Sequence, residues 1–169
     1  AEEVGPGLRL LRKTTMKLRR VVGWIAVAIP LVAILALAVG YWLSDNDCGK
    51  AATPGMPMKA IVYCDYGTAD ELRLEDVEKP VPGDDELLVR VHAAGVNPLD
   101  WHYMRGTPYL MRLSSGLRKP KDTRLGVDFA GTVEAVGRNV TRFRPGDQVF
   151  GGRSGALAQY VVAKQDRAV

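Results

Sequence analysis

A carboxamide, a carboxylate, an imidazole and a phenol fall within seven residues of this chain, at Asn97, Asp100, His102 and Tyr103. Between them they can donate and accept hydrogen bonds, and an imidazole can exchange a proton near neutral pH. They lie in the stretch from Gly95 to Tyr109, which follows a strand and reads as a tight turn into a short helix. Asn97 stands where an N-cap belongs, and Pro98 fits the first helical position because it has no amide proton to leave unbonded. Asp100 comes three residues after the cap, close to the exposed amides of the first turn. A plainer account is that Asn97 and Asp100 only cap the helix while Trp101 and Tyr103 pack; the residue types alone leave both readings open.

The elements that must position this stretch are strands. Met58 to Tyr63, Leu72 to Val77, Glu86 to Ala94, Asp128 to Val136, Gln148 to Phe150 and Ala156 to Val162 read as short strands, separated by turn signals such as Lys79-Pro80-Val81-Pro82-Gly83 and Pro145-Gly146-Asp147. In the third strand Leu87, Val89, Val91 and Ala93 share one face, while Leu88, Arg90 and His92 share the other. His92 is expected to be an exposed strand residue. Met111 to Lys121 is basic and glycine-broken and reads as a surface loop. Many short strands at close spacing imply a mainly β domain, a small barrel or sandwich. No Gly-x-Gly-x-x-Gly opens a helix, so a dinucleotide site of the usual kind is absent from these residues.

The first third differs in kind. Val21 to Leu43 holds 23 residues without a charged side chain, about 35 Å as a helix and enough for a hydrocarbon core of about 30 Å. Trp24 marks one end; Tyr41 and Trp42 mark the other. A cleaved signal peptide would have a shorter apolar region. The expectation is a single transmembrane helix at 21–43, a basic segment at 1–20, a flexible linker at 44–57 and a folded domain at 58–169. Met16-Lys17-Leu18-Arg19-Arg20 resembles a natural start, which would place 1–15 upstream of it. The basic N-terminus favours the cytoplasm, which would put the domain on the far side, and a bacterial inner membrane is the expected location.

The net charge of +4 belongs to that N-terminus: residues 1–20 carry +4, whereas 58–169 carry 16 basic and 15 acidic side chains. Nucleic acid is therefore not an expected partner. The two cysteines, Cys48 and Cys64, cannot build a four-cysteine zinc site. One bridge is open to them in an oxidising compartment, but simple burial is the expected fate of Cys64, inside an apolar strand.

Five motifs occur in order: Met58-Lys59-Ala60-Ile61-Val62-Tyr63; Pro80-Val81-Pro82-Gly83 leading to Glu86; Gly95-Val96-Asn97-Pro98-Leu99-Asp100; Gly126-Val127-Asp128-Phe129-Ala130-Gly131-Thr132-Val133; and Pro145-Gly146-Asp147 with Val149. Together they resemble the N-terminal, GroES-like domain of the medium-chain dehydrogenase/reductase superfamily, in its zinc-independent quinone oxidoreductase branch. The resemblance implies a partly open GroES-like β-barrel with short helices over 58–169. The family's Rossmann domain would lie beyond Val169, so that this chain alone would be an inactive fragment binding NADPH weakly or not at all.

The resemblance also implies chemistry. The family moves hydride from NADPH to a quinone or an activated enone, and a homodimer is the implied assembly. Asn97 stands where zinc alcohol dehydrogenases have a cysteine ligand, and Val127 where they have a histidine. Neither suits zinc, so no metal is expected. Asn97, His102 and Tyr103 are then the candidate catalytic donors toward the acceptor oxygen. Asn97, Pro98, Asp100 and His102 are the candidate cofactor contacts, with Asp100 either fixing the helix or meeting the nicotinamide end. The competing readings are a membrane-tethered binding or scaffold domain without catalysis and, more remotely, a zinc alcohol dehydrogenase with relocated ligands.

Overall fold

The computed structural model describes residues 6–43, 45, 46, 48 and 55–169, with side chains from Arg19 onward. The readings given above for 1–5 and for 44, 47 and 49–54 lie outside the described residues. Two units separate at Leu43/Ser44.

The first unit is one helix, α1 (Pro6–Leu43). Pro30 lies inside it without ending it. The 18-residue apolar window within Arg19–Leu43 has a mean hydropathy of 2.7, and none of that window is buried. It is long and apolar enough to cross a membrane.

The second unit is mainly β. Strand β1 (Pro57–Val62) pairs antiparallel with β2 (Arg73–Glu78). Strands β3 (Glu86–Gly95), β4 (Asp128–Val136), β5 (Gln148–Gly152) and β6 (Tyr160–Lys164) form a second antiparallel sheet in the order β5-β4-β3-β6. Single bridges, Ala60 to Ala158 and Val62 to Arg124, tie β1 to the chain between the sheets. The sheets meet through these bridges but do not close, which is the partly open GroES-like barrel.

The last strand is shorter and later than its apolar run suggests. Residues 156–159 share their hydrogen bonds among several partners instead of joining one ladder. Ile61 donates to the carbonyl of Leu157, Leu157 to that of Leu125, and Gln159 to that of Lys59, at 2.8–2.9 Å. The ladder with β3 runs from Tyr160 onward, joined by the Val91 amide donating to the Gln159 carbonyl at 2.9 Å.

The main core gathers Leu87, Val89, Phe129, Val133, Val149 and Val161 from the four strands of the larger sheet. Burial of each such side chain contributes on the order of 1.5–3 kcal/mol. The alternation in β3 holds at Leu87 and Val89, inside, and at Arg90 and His92, outside. It fails at Leu88, which is buried, and at Ala93, which is exposed; the β3–β4 register shifts between Leu88 and Val89 and between Val91 and Ala93. His92 is an exposed strand residue, its Nε2 lying 3.0 Å from Thr132 Oγ1.

Two expectations need correction. Part of the presumed surface loop at 111–121 is helical: a 3₁₀ turn at Tyr109–Met111 runs into one α-helical turn, α3 (Arg112–Ser115). The Ser114 and Ser115 hydroxyls donate back to the Met111 carbonyl. Cys64 is not simply buried. It stands two residues beyond the end of β1, half-buried, and is disulfide-bonded to Cys48. Asn46 reinforces the attachment, its Nδ2 donating to the carbonyls of Cys64 (2.7 Å) and Pro120 (3.1 Å).

The β3–β4 pairing that leads into the site depends on Gly131. A Cβ there would lie 2.1 Å from the Arg90 carbonyl oxygen and 2.9 Å from its carbon, both backbone atoms that cannot yield alone. At Gly152 a Cβ meets nothing closer than 3.9 Å. Gly131→Ala should therefore lower unfolding free energy by roughly 2–4 kcal/mol, and Gly152→Ala by less than about 0.5 kcal/mol. Equal denaturation midpoints for the two variants would contradict this register.

Candidate functional site

Strand β3 ends at Gly95, opposite Asp128 at the start of β4. Two residues later the chain enters α2 (Pro98–Arg105), with Asn97 as its N-cap in extended backbone conformation (φ −136°, ψ 170°). The first turn of any helix leaves amide protons without intrahelical acceptors. Here they are met reciprocally. Asn97 Oδ1 accepts from the Leu99 amide at 2.8 Å, and Asp100 Oδ2 accepts from the Asn97 amide at 2.9 Å. Pro98 at the first helical position has no amide to satisfy.

The other end of the Asn97 side chain is engaged too. Its Nδ2 donates to Asp128 Oδ2 at 2.7 Å. A carboxamide nitrogen carries two protons, so one N–H of Asn97 remains for a ligand. The group is held at both ends: its oxygen is on the helix and its nitrogen on β4.

Asp100 is 2% exposed and its Oδ1 has no hydrogen-bond partner. Its carboxylate faces inward, beside the Asn97 backbone, rather than outward. Pro98 and Asp128 are exposed.

The helix stops at Gly106, in the left-handed region (φ 60°). A Cβ there would sit 2.6 Å from the Tyr66 ring and 2.7 Å from Arg112 Nε, so glycine is required for space as well as for φ. Arg112 Nε donates to the Gly106 carbonyl at 2.9 Å, and its guanidinium stacks on Tyr66 and Tyr109. Burial pushes the Tyr66 hydroxyl up, against the pull of its bond to Ser115 and of the Arg112 charge.

His102 lies on the outer part of α2. Its Nδ1 is 2.6 Å from the Thr107 carbonyl oxygen. A carbonyl only accepts, so Nδ1 carries the proton and neutral His102 presents a lone pair at Nε2. In that form it is an acceptor; it becomes a donor at Nε2 only as imidazolium. Its ring packs edge-on against Trp101 at 4.8 Å.

Tyr103 turns another way. It packs against the second hydrophobic cluster, formed by Tyr63, Met104 and Leu125. With Tyr63, Ser114, Ser115, Lys121, Asp122 and Ser154 it lines a cavity of about 230 Å³. Burial, with smaller contributions from neighbouring Tyr66 and Asp122, pushes the Tyr63 hydroxyl well up, so Tyr63 remains a neutral phenol there.

Among the four candidate residues, then, Asn97 and Asp100 act as one unit. His102 and Tyr103 make no hydrogen bond to that unit among the described residues and point to different surroundings. Asp128 is the partner that reading the residues did not place in the site. It stands in the Gly126-Val127-Asp128 motif, but only the pairing of β3 with β4 brings it to Asn97. Among the described residues no group of three or more His, Cys, Asp or Glu side chains converges as a metal site.

Comparison with known proteins agrees with this architecture. Residues 83–169 match the family model described as the alcohol dehydrogenase GroES-like domain. The quinone oxidoreductase of Sus scrofa is 38% identical over 118 residues, an alignment covering 68% of this chain and 34% of the relative. The structure of the quinone oxidoreductase from Coxiella burnetii superposes with a TM-score of 0.59 at 31% identity, over 68% of this chain and 37% of that one. A mycobacterial protein solved in complex with NADPH gives a TM-score of 0.55 at 30% identity, over 66% of this chain and 32% of that one. The chain spans about a third of the length of the curated relatives it matches.

The two jobs of the Asn97 side chain can be separated. Asn97→Ala removes cap and cross-link and should lower unfolding free energy by about 1–2 kcal/mol. Asn97→Ser keeps a capping oxygen and should lose less than half of that. Equal losses in urea titrations of the two variants would show that the cap contributes nothing.

Proposed function

We propose, from the premise that this chain belongs to the alcohol dehydrogenase GroES-like family, in the quinone oxidoreductase-like branch of the medium-chain dehydrogenase/reductase superfamily, that it forms the acceptor-side wall of a zinc-independent NAD(P)H-dependent reductase. The substrate is a quinone or an activated enone. The observation that carries the proposal is the remaining N–H of Asn97, held in place by a cap bond to Leu99 and a cross-link to Asp128.

The fit to a bound nicotinamide cofactor lies at that exposed edge. Asn97, Pro98 and His102 would adjoin the nicotinamide end, and the cofactor, when bound, supplies the hydride. Asp100 is sealed inside, which supports the helix-fixing role over direct contact: it positions Asn97. As hydride reaches the acceptor, negative charge develops on the acceptor oxygen. A donor already fixed in place stabilises that charge without reorganising, an effect on the order of 3–4 kcal/mol per donor. Asn97 is the donor of this kind. His102, as imidazolium, can return a proton from Nε2 to the reduced oxygen while Thr107 holds its Nδ1 side. Tyr103, turned toward the hydroxyl-lined cavity, shapes the acceptor end more than it meets the reacting atom. No zinc takes part in this reading, because Asn97 and Val127 provide neither thiolate nor imidazole and both cysteines are paired. A homodimer is the assembly proposed with it.

In the complete protein, with NADPH and a benzoquinone acceptor, Asn97→Ala should lower kcat at least tenfold while leaving the KM for NADPH within about threefold. Unchanged kcat would remove Asn97 from the reaction.

We further propose the division into a basic segment (1–20), a transmembrane helix (21–43), a linker (44–57) and the GroES-like domain (58–169), with one pass through a bacterial inner membrane. The Cys48–Cys64 disulfide supports placing the domain on the oxidising side, since such bonds persist mainly outside the reducing cytosol. It agrees with the positive charge before the helix. The same observation favours a second reading, a tethered binding domain without catalysis, because NADPH is a cytosolic reductant. In native membranes Cys48 and Cys64 should resist maleimide labelling until a reductant is added. Prompt labelling of both without reductant would place the domain in the cytosol and remove the support for the second reading.

A further inference from the structure

Strand β1 buries Met58, Ala60 and Val62 on one face, which leaves Ile61 and Tyr63 on the other. That second face is covered as well. Ile61 and Tyr63 pack there with Met104 and Leu125, and the Tyr63 amide donates to the Thr123 carbonyl at 2.9 Å. The Tyr63 side chain is thereby fixed and only 3% exposed. Its hydroxyl makes no hydrogen bond among the described residues. A buried polar group normally has a partner, so an acceptor belongs beside it. Asp100 Oδ1 is sealed without a partner; the Tyr63 oxygen is unpaired but not sealed, and reaches the cavity of about 230 Å³ that Tyr63 lines.

The other walls say what the acceptor is. Ser114 and Ser115 have given their protons to the Met111 carbonyl and offer only lone pairs. Tyr63, Tyr103 and Ser154 keep free O–H groups among the described residues. Three such donors suit an oxygen with two open lone pairs, as a carbonyl has. Lys121 and Asp122 are exposed, so they stand at the mouth with one charge of each sign. Burial first, then Tyr66, Asp122, Tyr103 and Asp100, all oppose ionisation of Tyr63. Surroundings that disfavour a phenolate disfavour a bound carboxylate in the same place. The volume is below the roughly 300–1,000 Å³ of sites for drug-sized ligands, which limits the occupant to one or two rings. Two tyrosine rings in the wall favour an aromatic one.

We propose that this cavity is a binding site for a small neutral aromatic carbonyl compound of one or two rings, its carbonyl oxygen accepting from the Tyr63 hydroxyl. The inference goes beyond the reductase reading: it needs neither cofactor nor hydride transfer, and it holds equally for a tethered binding domain.

The test titrates the whole chain, carrying ring-¹³C tyrosine and held in phosphatidylcholine nanodiscs, with acetophenone, benzoate and ethylbenzene at matched free concentrations, without NADPH. Acetophenone should bind with a Kd on the order of 1 mM or below, as suits so few heavy atoms, moving the Tyr63 and Tyr103 signals and not that of Tyr160. Benzoate should bind at least about tenfold more weakly and ethylbenzene about fivefold more weakly, the difference one neutral hydrogen bond makes. Tyr63→Phe should lose about fivefold for acetophenone and keep its affinity for ethylbenzene within about twofold. Should Tyr63→Phe lose both ligands, the ratios on the unaltered chain decide alone. No saturable binding of acetophenone up to about 10 mM would show that the cavity holds water only and overturn the site. Acetophenone bound no more tightly than ethylbenzene or benzoate would overturn the assignment of its ligand. Either failure leaves the kinetic test of Asn97 standing, because no turnover is read here.

Discussion

An α-helix must find acceptors for the amides of its first turn, and in this domain one side chain answers that demand while reaching across to a sheet. Asn97 accepts from Leu99, donates to Asp128, and has its own backbone amide held by Asp100. The requirement is generic; its consequence here is specific. A carboxamide committed at two of its positions cannot rotate, so its third hydrogen-bonding position points in one direction. Local helix energetics thereby fix the direction of the donor on which the reductase reading proposed above relies.

The strands exist, in functional terms, to bring Asp128 to that point. Pairing of β3 with β4 sets Gly95 opposite Asp128, and the close approach at Gly131 permits the pairing. Behind the helix, Gly106 lets the chain turn so tightly that Tyr66 and Arg112 close over its end. The outlying Lys79–Glu134 pair, with Lys79 over the Tyr160 ring, joins the end of β2 to the outer face of the larger sheet. The Glu134 hydrogen bond holds Lys79 above its usual range and Glu134 below its own. Glu134 thus contributes to stability above the carboxylate range and ceases to as pH falls through its folded value, a small effect at a partly exposed site.

Much of this was legible in the residues. Asn-Pro-x-Asp after a strand announces a capped helix, because each residue has a local reason to be there, and the structure has the full capping box. The strand positions of β1 to β5 follow from short apolar or alternating runs between turns. What was not legible depends on distant pairing. Ala156 to Val162 reads as one strand because all its residues but Gln159 are apolar or aromatic, yet its hydrogen bonds are divided between β1, the 125–126 segment and β3. The side chains of Tyr103 and His102 are adjacent in sequence but lie roughly 100° apart around the helix, so one faces the Tyr63 cavity and the other Thr107. Cys48 and Cys64 pair where Asn46 also bonds to the Pro120 carbonyl, a meeting no spacing rule foretells.

The claim on which the account stands is that the Asn97 carboxamide is immobilised with one proton committed and one available. Side-chain amide NMR of the ¹⁵N-labelled chain in nanodiscs tests it directly. The account predicts two well-separated Nδ2 proton resonances for Asn97, one shifted downfield and slow to exchange because it binds Asp128, the other in rapid exchange with water, and collapse of that difference in Asp128→Ala. Two protons of Asn97 exchanging equally fast in the unaltered chain would contradict it.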